Sequence, residues 1–222
     1  GNTIKVADSK QYGASFLDLQ GTGNDPLGIS ADGAYLVFGN YLYNREKNTV
    51  EKLVAEWSTA SAISSDGNVI ALVTKEMLTN NDVNTDYDTY TFDRVSKKIE
   101  LVTVGPNGTS IDETDYQASP SFNSDGRYVV FFGSNKLVTG SNDGLFIRDR
   151  KKGSNEPIDS NPGSAWNKNR GPTISGDGRM VAYDCGGTNS DVWDICIRDR
   201  VQNITESLDD FHLGDPHLTS AG

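Results

Sequence analysis

Along the chain, short apolar runs alternate with polar turns, and no stretch carries the 3.6-residue period of a helix. Four segments share one pattern: GISADGAYLVFGN, AISSDGNVIALVT, PSFNSDGRYVVFFG and PTISGDGRMVAYD. Each places an apolar residue, a Ser- or Asn-bearing step and Asp-Gly ahead of a further apolar run. Asp-Gly between two strand-like runs predicts a tight hairpin, because glycine takes the positive φ that such a turn requires. The predicted turns fall at Asp32-Gly33, Asp66-Gly67, Asp125-Gly126 and Asp177-Gly178.

A second shared element follows each turn. Its copies are YLYNREKNTVEKL, TYTFDRVSKKIELV, LFIRDRKKGSNEPI and ICIRDRVQNITESL. An apolar strand runs into Asp-Arg (Asn44-Arg45 in the first copy), then a polar turn and another short strand. Each unit therefore reads as four short antiparallel strands, A to D, the make-up of a propeller blade. The last residues, PHLTSAG, start the pattern again, with Leu218 in the place of Ile29, Ile63, Phe122 and Ile174. The beginning of the chain continues it, residues 2–7 supplying a second strand and 15–20 a third. The expected fold is all-β: a five-bladed β-propeller of four-stranded antiparallel blades, forming one domain over 1–222. Blades are expected at approximately 27–55, 60–104, 119–159, 172–208, and 216–222 plus 1–21. A C-terminal strand A joining N-terminal strands B–D closes the ring. Such closure removes exposed sheet edges and points to a complete domain.

The strand pair built on S-x-DG-R-x-V-A/V-F, followed by I-R-D-R, resembles the WD40-like repeats of TolB-type β-propellers. SDGRYVVF and FIRDR are the most specific parts, and the first and fifth units depart from the pattern at Asn44 and at Ala221-Gly222. The resemblance implies a propeller fold and, for many members, an exported location. It does not imply one activity, because these repeats occur in binding proteins, in periplasmic assembly factors and beside peptidase domains.

Charge narrows the picture further. A formal net charge of −11 over 222 residues argues against nucleic acid as the partner. No apolar run is long enough for a transmembrane segment. The two cysteines, Cys185 and Cys196, flank the loop in CGGTNSDVWDIC, where two joined strands would bring them together as a disulfide; free buried thiols are the alternative. The disulfide would place the protein in an oxidising compartment, secreted or periplasmic. Asn107-Gly-Thr and Asn203-Ile-Thr fit the glycosylation sequon.

The repeated Asp-Gly and Asp-Arg pairs recur in blade after blade, whereas a catalytic group is needed once. They read as frame: Asp93, Asp149 and Asp199 bonding turn amides, with Arg94, Arg150 and Arg200 packing across blades. Function in a propeller concentrates on the face where loops enter the innermost strands. Nine residues before each turn position stand Gly23, Trp57, Tyr116, Lys168 and His212, and their neighbours include Glu56, Asp115, Trp166, Asn167 and Arg170. Aromatic faces beside amides and charges are suited to stacking sugar rings or gripping a peptide; plugging between blades is the alternative for Trp57 and Tyr116. Because these positions differ, one axial site is expected, rather than a lectin with a sugar in every blade.

Two further kinds of chemistry remain. LTNNDVNTDYDTY carries Asp82, Asn84, Asp86 and Asp88 at alternating positions, an oxygen-rich spacing that calcium can use. It lacks the glycine and distal glutamate of an EF-hand, and a solvated insert is the competing reading. For catalysis, Glu56 and Asp115 could form a carboxylate pair that cleaves glycans. No nucleophile elbow or phosphate loop accompanies them. The sequence thus favours a non-enzymatic binding protein for a carbohydrate or other small polar ligand, with a TolB-like scaffold for a peptide or partner domain as the first rival.

Overall fold

The computed structural model describes residues 27–55, 58–111, 120–159, 171–185 and 195–208. Within them, sixteen strands form four antiparallel sheets, each a meander in chain order. The first holds β1 (Leu27–Ile29), β2 (Tyr35–Phe38), β3 (Tyr41–Asn44) and β4 (Thr49–Lys52). The second holds β5 (Ser58–Ile63), β6 (Val69–Thr74), β7 (Asp88–Asp93) and β8 (Ile99–Leu101). The third is β9 (Ser121–Phe122), β10 (Tyr128–Gly133), β11 (Gly144–Asp149) and β12 (Ser154–Asp159). The fourth is β13 (Thr173–Ile174), β14 (Met180–Asp184), β15 (Ile195–Asp199) and β16 (Ile204–Leu208). The unit expected from 216–222 and 1–21 lies outside the described residues.

Local chemistry explains the hairpins. Gly33, Gly67, Gly126 and Gly178 all adopt positive φ, at 67°, 71°, 66° and 77°. In each turn the aspartate accepts from the Ser or Asn two residues earlier and from the amide two residues later. For the first these are Ser30 Oγ at 2.6 Å and the Ala34 amide at 2.9 Å. Asp66, Asp125 and Asp177 repeat both bonds. The Ser30, Ser64, Asn123 and Ser175 side chains in turn accept the amide that opens the next strand, at 2.8–3.0 Å. An Asp-Gly step is therefore a complete turn device here, with every short polar group employed.

Packing follows the pleat. The first strands adjoin in series, β1 against β5, β5 against β9 and β9 against β13, so they form the inner edge of the sheets. Side chains alternate between the two faces of β10: Val129 and Phe131 join the core shared with the second sheet, while Val130 and Phe132 join that shared with the fourth. That double burial is why YVVFFG reads as a continuous apolar run rather than as an alternation. Ile70 and Leu72 of β6 face Val37 and Leu42 of the first sheet in the same way. The opposite face of the first sheet carries Phe38, Tyr41 and Tyr43, with Leu36 and Val50 against them.

A meander sends successive connections to opposite ends, so the A–B and C–D turns share one end and the B–C and D–A connections share the other. The first is called the turn end below and the second the loop end.

Candidate functional site

At the turn end, the Asp-Arg pairs of the second, third and fourth sheets hold the frame. Asp93 Oδ1 accepts the Val95 and Ser96 amides, Asp149 Oδ1 those of Lys151 and Lys152, and Asp199 Oδ1 those of Val201 and Gln202, at 2.8–3.2 Å. Asn44 in the first unit accepts the Lys47 amide. Arg94, Arg150 and Arg200 donate to the turn carbonyls of Gly67, Gly126 and Gly178 in their own sheets. Each also reaches the preceding sheet. Arg94 stacks 3.5 Å from the Tyr35 ring centre and Arg200 4.4 Å from that of Tyr128. Arg150, which meets no tyrosine there because Val69 fills that position, bonds Thr91 Oγ1 and approaches Glu100. The expected structural roles of these six residues are therefore present.

Sequence reading missed a second use of the same aspartates. Arg127 donates to both carboxylate oxygens of Asp149, at 3.1 and 2.7 Å, and Arg179 donates twice to Asp199 Oδ2, at 3.0 and 2.5 Å. The bonds from these guanidiniums, ahead of every other cause, hold both carboxyls down at about 2. The signal was present in D-G-R, which occurs only in the third and fourth units. The first and second have Ala34 and Asn68 in its place.

At the loop end, connections differ from unit to unit. The B–C segments are 39–40, 75–87, 134–143 and 185–194. The predicted axial residues Glu56, Trp57, Asp115, Tyr116, Trp166, Asn167, Lys168, Arg170 and His212 all lie outside the described residues. Of the sequence-derived candidates, the acidic insert and the cysteines fall inside them.

The insert folds back onto the hairpin that follows β8. Asn84 donates its amide nitrogen to Ser110 Oγ at 3.1 Å and to the Ile111 carbonyl at 2.9 Å, while Ser110 Oγ accepts the Val83 amide. The hairpin is closed by a bridge between Val104 and Ser110. Asp82 and Asp88 are both buried in this region. Tyr90 Oη donates to Asp82, and Thr103 Oγ1 donates to Asp88. Burial, followed by the charges of Asp82 and Asp86, pushes the Asp88 carboxyl up to about 7 against the downward pull of Thr103. Burial and the bond to Asp82 raise the Tyr90 hydroxyl as well. Within the insert, Asn84 Oδ1 accepts the Asp86 amide at 2.9 Å and Asp82 Oδ1 accepts the Asn84 amide at 3.3 Å. Among the described residues, no three His, Cys, Asp or Glu side chains gather as a ready-made metal cage.

Cys185 and Cys196 form a disulfide, with Cα atoms 5.7 Å apart. It ties the end of β14 to β15 at the base of the 185–194 connection, and bonds of this kind persist in oxidising compartments. An open cleft of about 570 Å³ runs between Val104, Gly105 and Pro106 on one side and Leu137, Val138 and Thr139 on the other. Arg148 lies in its floor, neutralised by Glu100 at 2.8 Å. Asn107 and Asn203, the two sequon asparagines, are exposed. Among the described residues no helix is long and apolar enough to cross a membrane.

No protein-family model matches the chain. No curated protein matches it either. Among solved structures it is similar to TolB from Acinetobacter baumannii, with 17% sequence identity and a TM-score of 0.53 over 83% of this chain and 43% of that one. It is similar to an oligogalacturonate lyase from Vibrio parahaemolyticus at 16% identity and a TM-score of 0.54, over 82% of this chain and 51% of that one. A chain of the mitotic checkpoint complex gives 15% and 0.51, over 82% and 48%. The chain thus spans about half the length of these structures. At such identity the likeness speaks to fold alone: the sheets are of the β-propeller type.

Proposed function

We propose that this chain is a non-catalytic binding propeller, secreted or periplasmic, that holds a carbohydrate or other small polar ligand at its loop end. The observation that supports this reading is the division of labour between the ends. The recurring Asp and Arg residues at the turn end are committed to turn amides, turn carbonyls and neighbouring sheets. The B–C connections at the other end differ in length from unit to unit. There Trp57, Tyr116, Trp166 and His212 would stack on the ligand. Glu56, Asp115, Asn167, Lys168 and Arg170 would orient its polar groups. The disulfide fits an exported location.

A glycan-array screen of the pure protein tests the reading. A hit that is lost on Trp57→Ala supports it, and a blank array overturns the carbohydrate assignment. A hit glycan cleaved on prolonged incubation would instead make Glu56 and Asp115 a catalytic pair. The likeness to TolB favours a second reading, a scaffold that docks a peptide or partner domain at the same end. It predicts a partner that co-purifies from native extract and is released by the same tryptophan substitution.

A further inference from the structure

Between the first and second sheets, a pocket of about 170 Å³ opens at the turn end. Lys47 of the first sheet lines it with Arg94 and Lys97 of the second, and Glu51 is the one carboxylate in its wall. Three cations gathered against one anion stand out on a chain of net charge −11. Among the described residues, none of the three cations has an ion pair.

The next two grooves are built differently. The fourth strands carry a glutamate in the same register, Glu51 opposite Leu42, Glu100 opposite Thr91 and Glu156 opposite Ile147. Glu100 approaches Arg150 at 3.7 Å and Glu156 approaches Arg200 at 4.0 Å, each reaching across to the following sheet. Arg94, the corresponding arginine of the second sheet, stacks on Tyr35 instead and spends Nη1 on the Gly67 carbonyl. Its Nε and Nη2 have no acceptor among the described residues. Two substitutions make the same pocket more positive. Asn44 stands where the other units have Asp93, Asp149 and Asp199. Lys97 adopts a φ of 60° at a turn position that Asn48, Gly153 and Asn203 fill elsewhere, residue types that accept this conformation more readily than lysine. A carboxylate is thus withdrawn and an ammonium added at one place.

We infer that this pocket binds a tetrahedral oxyanion, phosphate or sulfate, either as the free ion or as a monoester carried on a larger ligand. The Nε–Nη2 edge of Arg94 offers the paired donors that two oxygens of such a group accept. Lys47 and Lys97 add an ammonium from each sheet, and three cations set against Glu51 leave a net charge that suits a dianion. The pocket lies at the opposite end from the proposed ligand face, so the inference does not depend on which ligand the loop end takes.

The test is calorimetric titration of sodium phosphate and sodium sulfate into the full chain at constant ionic strength, with sodium chloride as the blank. The expected dissociation constant is on the order of 1 mM, weakened about tenfold in Lys97→Asn and in Asn44→Asp. Both changes install what other units carry at these positions, so both variants are expected to fold, checked by thermal unfolding without added anion. Lys151→Ala, which removes an exposed charge from the equivalent turn of the third sheet, should bind as the wild type does. Glucose 6-phosphate separates the two sources. Binding tighter than that of inorganic phosphate supports a carried group, and equal or weaker binding supports the free ion. A wild type that binds neither anion nor the ester at about 10 mM overturns the inference. Undiminished affinity in either pocket variant also overturns it, as does an equal loss in Lys151→Ala, which would make the binding a diffuse effect of surface charge.

Discussion

The four A–B turns at one end span 30–34, 64–68, 123–127 and 175–179, five residues every time, and repeat the same aspartate bonds. At the opposite end the B–C connections range from two residues at 39–40 to thirteen at 75–87. The first end is uniform because neighbouring sheets must meet there at fixed spacing. A Cβ on Gly126 would lie 2.9 Å from Val69, and one on Gly178 only 2.6 Å from the Tyr128 ring. The second end tolerates inserts because lengthening a surface connection costs little in entropy. A residue repeated in every unit therefore belongs to the frame, and a residue found once is the better candidate for function.

The contrast can be broken most forcefully at Gly126. Gly126→Val puts a β-branched side chain at positive φ and against Val69, and should cost about 3 kcal/mol, read from urea unfolding. Loss of less than a third of that would mean the turn end is not rigidly spaced. Acid comes next. Asp149 and Asp199 sit at about 2 in the folded chain against an ordinary 3.8. With the folded value below the unfolded one, their contribution is present above the ordinary value and is lost as pH falls from there towards 2. Arg127→Gln removes the main cause at Asp149 and should shift the acid-unfolding midpoint upward by about half a pH unit, followed by circular dichroism. The smallest effect belongs to the loop end, where Val83 is exposed in the acidic insert. Val83→Thr should change stability by no more than about 0.5 kcal/mol.

How much of this was legible in the sequence depended on range. Asp-Gly turns are local devices, complete within five residues, so Gly33, Gly67, Gly126 and Gly178 could be read directly. The Cys185–Cys196 bond was legible because the cysteines flank one connection between adjoining strands. Bonds joining distant positions were not. Arg127 and Asp149 lie 22 residues apart, and Thr103 stands 15 beyond the Asp88 it contacts. The alternating spacing of Asp82, Asn84, Asp86 and Asp88 offered calcium or a solvated insert as readings. Neither showed that Asn84 is held by the neighbouring hairpin, which offers Ser110 and the Ile111 carbonyl to its amide from 26 and 27 residues away. The aromatic loop residues were legible as a set of unique positions, and they lie outside the described residues.

The most direct measurement compares the affinity of one array-selected glycan for the wild type, for Trp57→Ala and for Arg45→Ala, an exposed turn-end variant. The account predicts that Trp57→Ala weakens binding about tenfold or more, while Arg45→Ala binds as the wild type does. Undiminished binding by Trp57→Ala together with loss in Arg45→Ala would contradict it, and would move the binding face to the turn end.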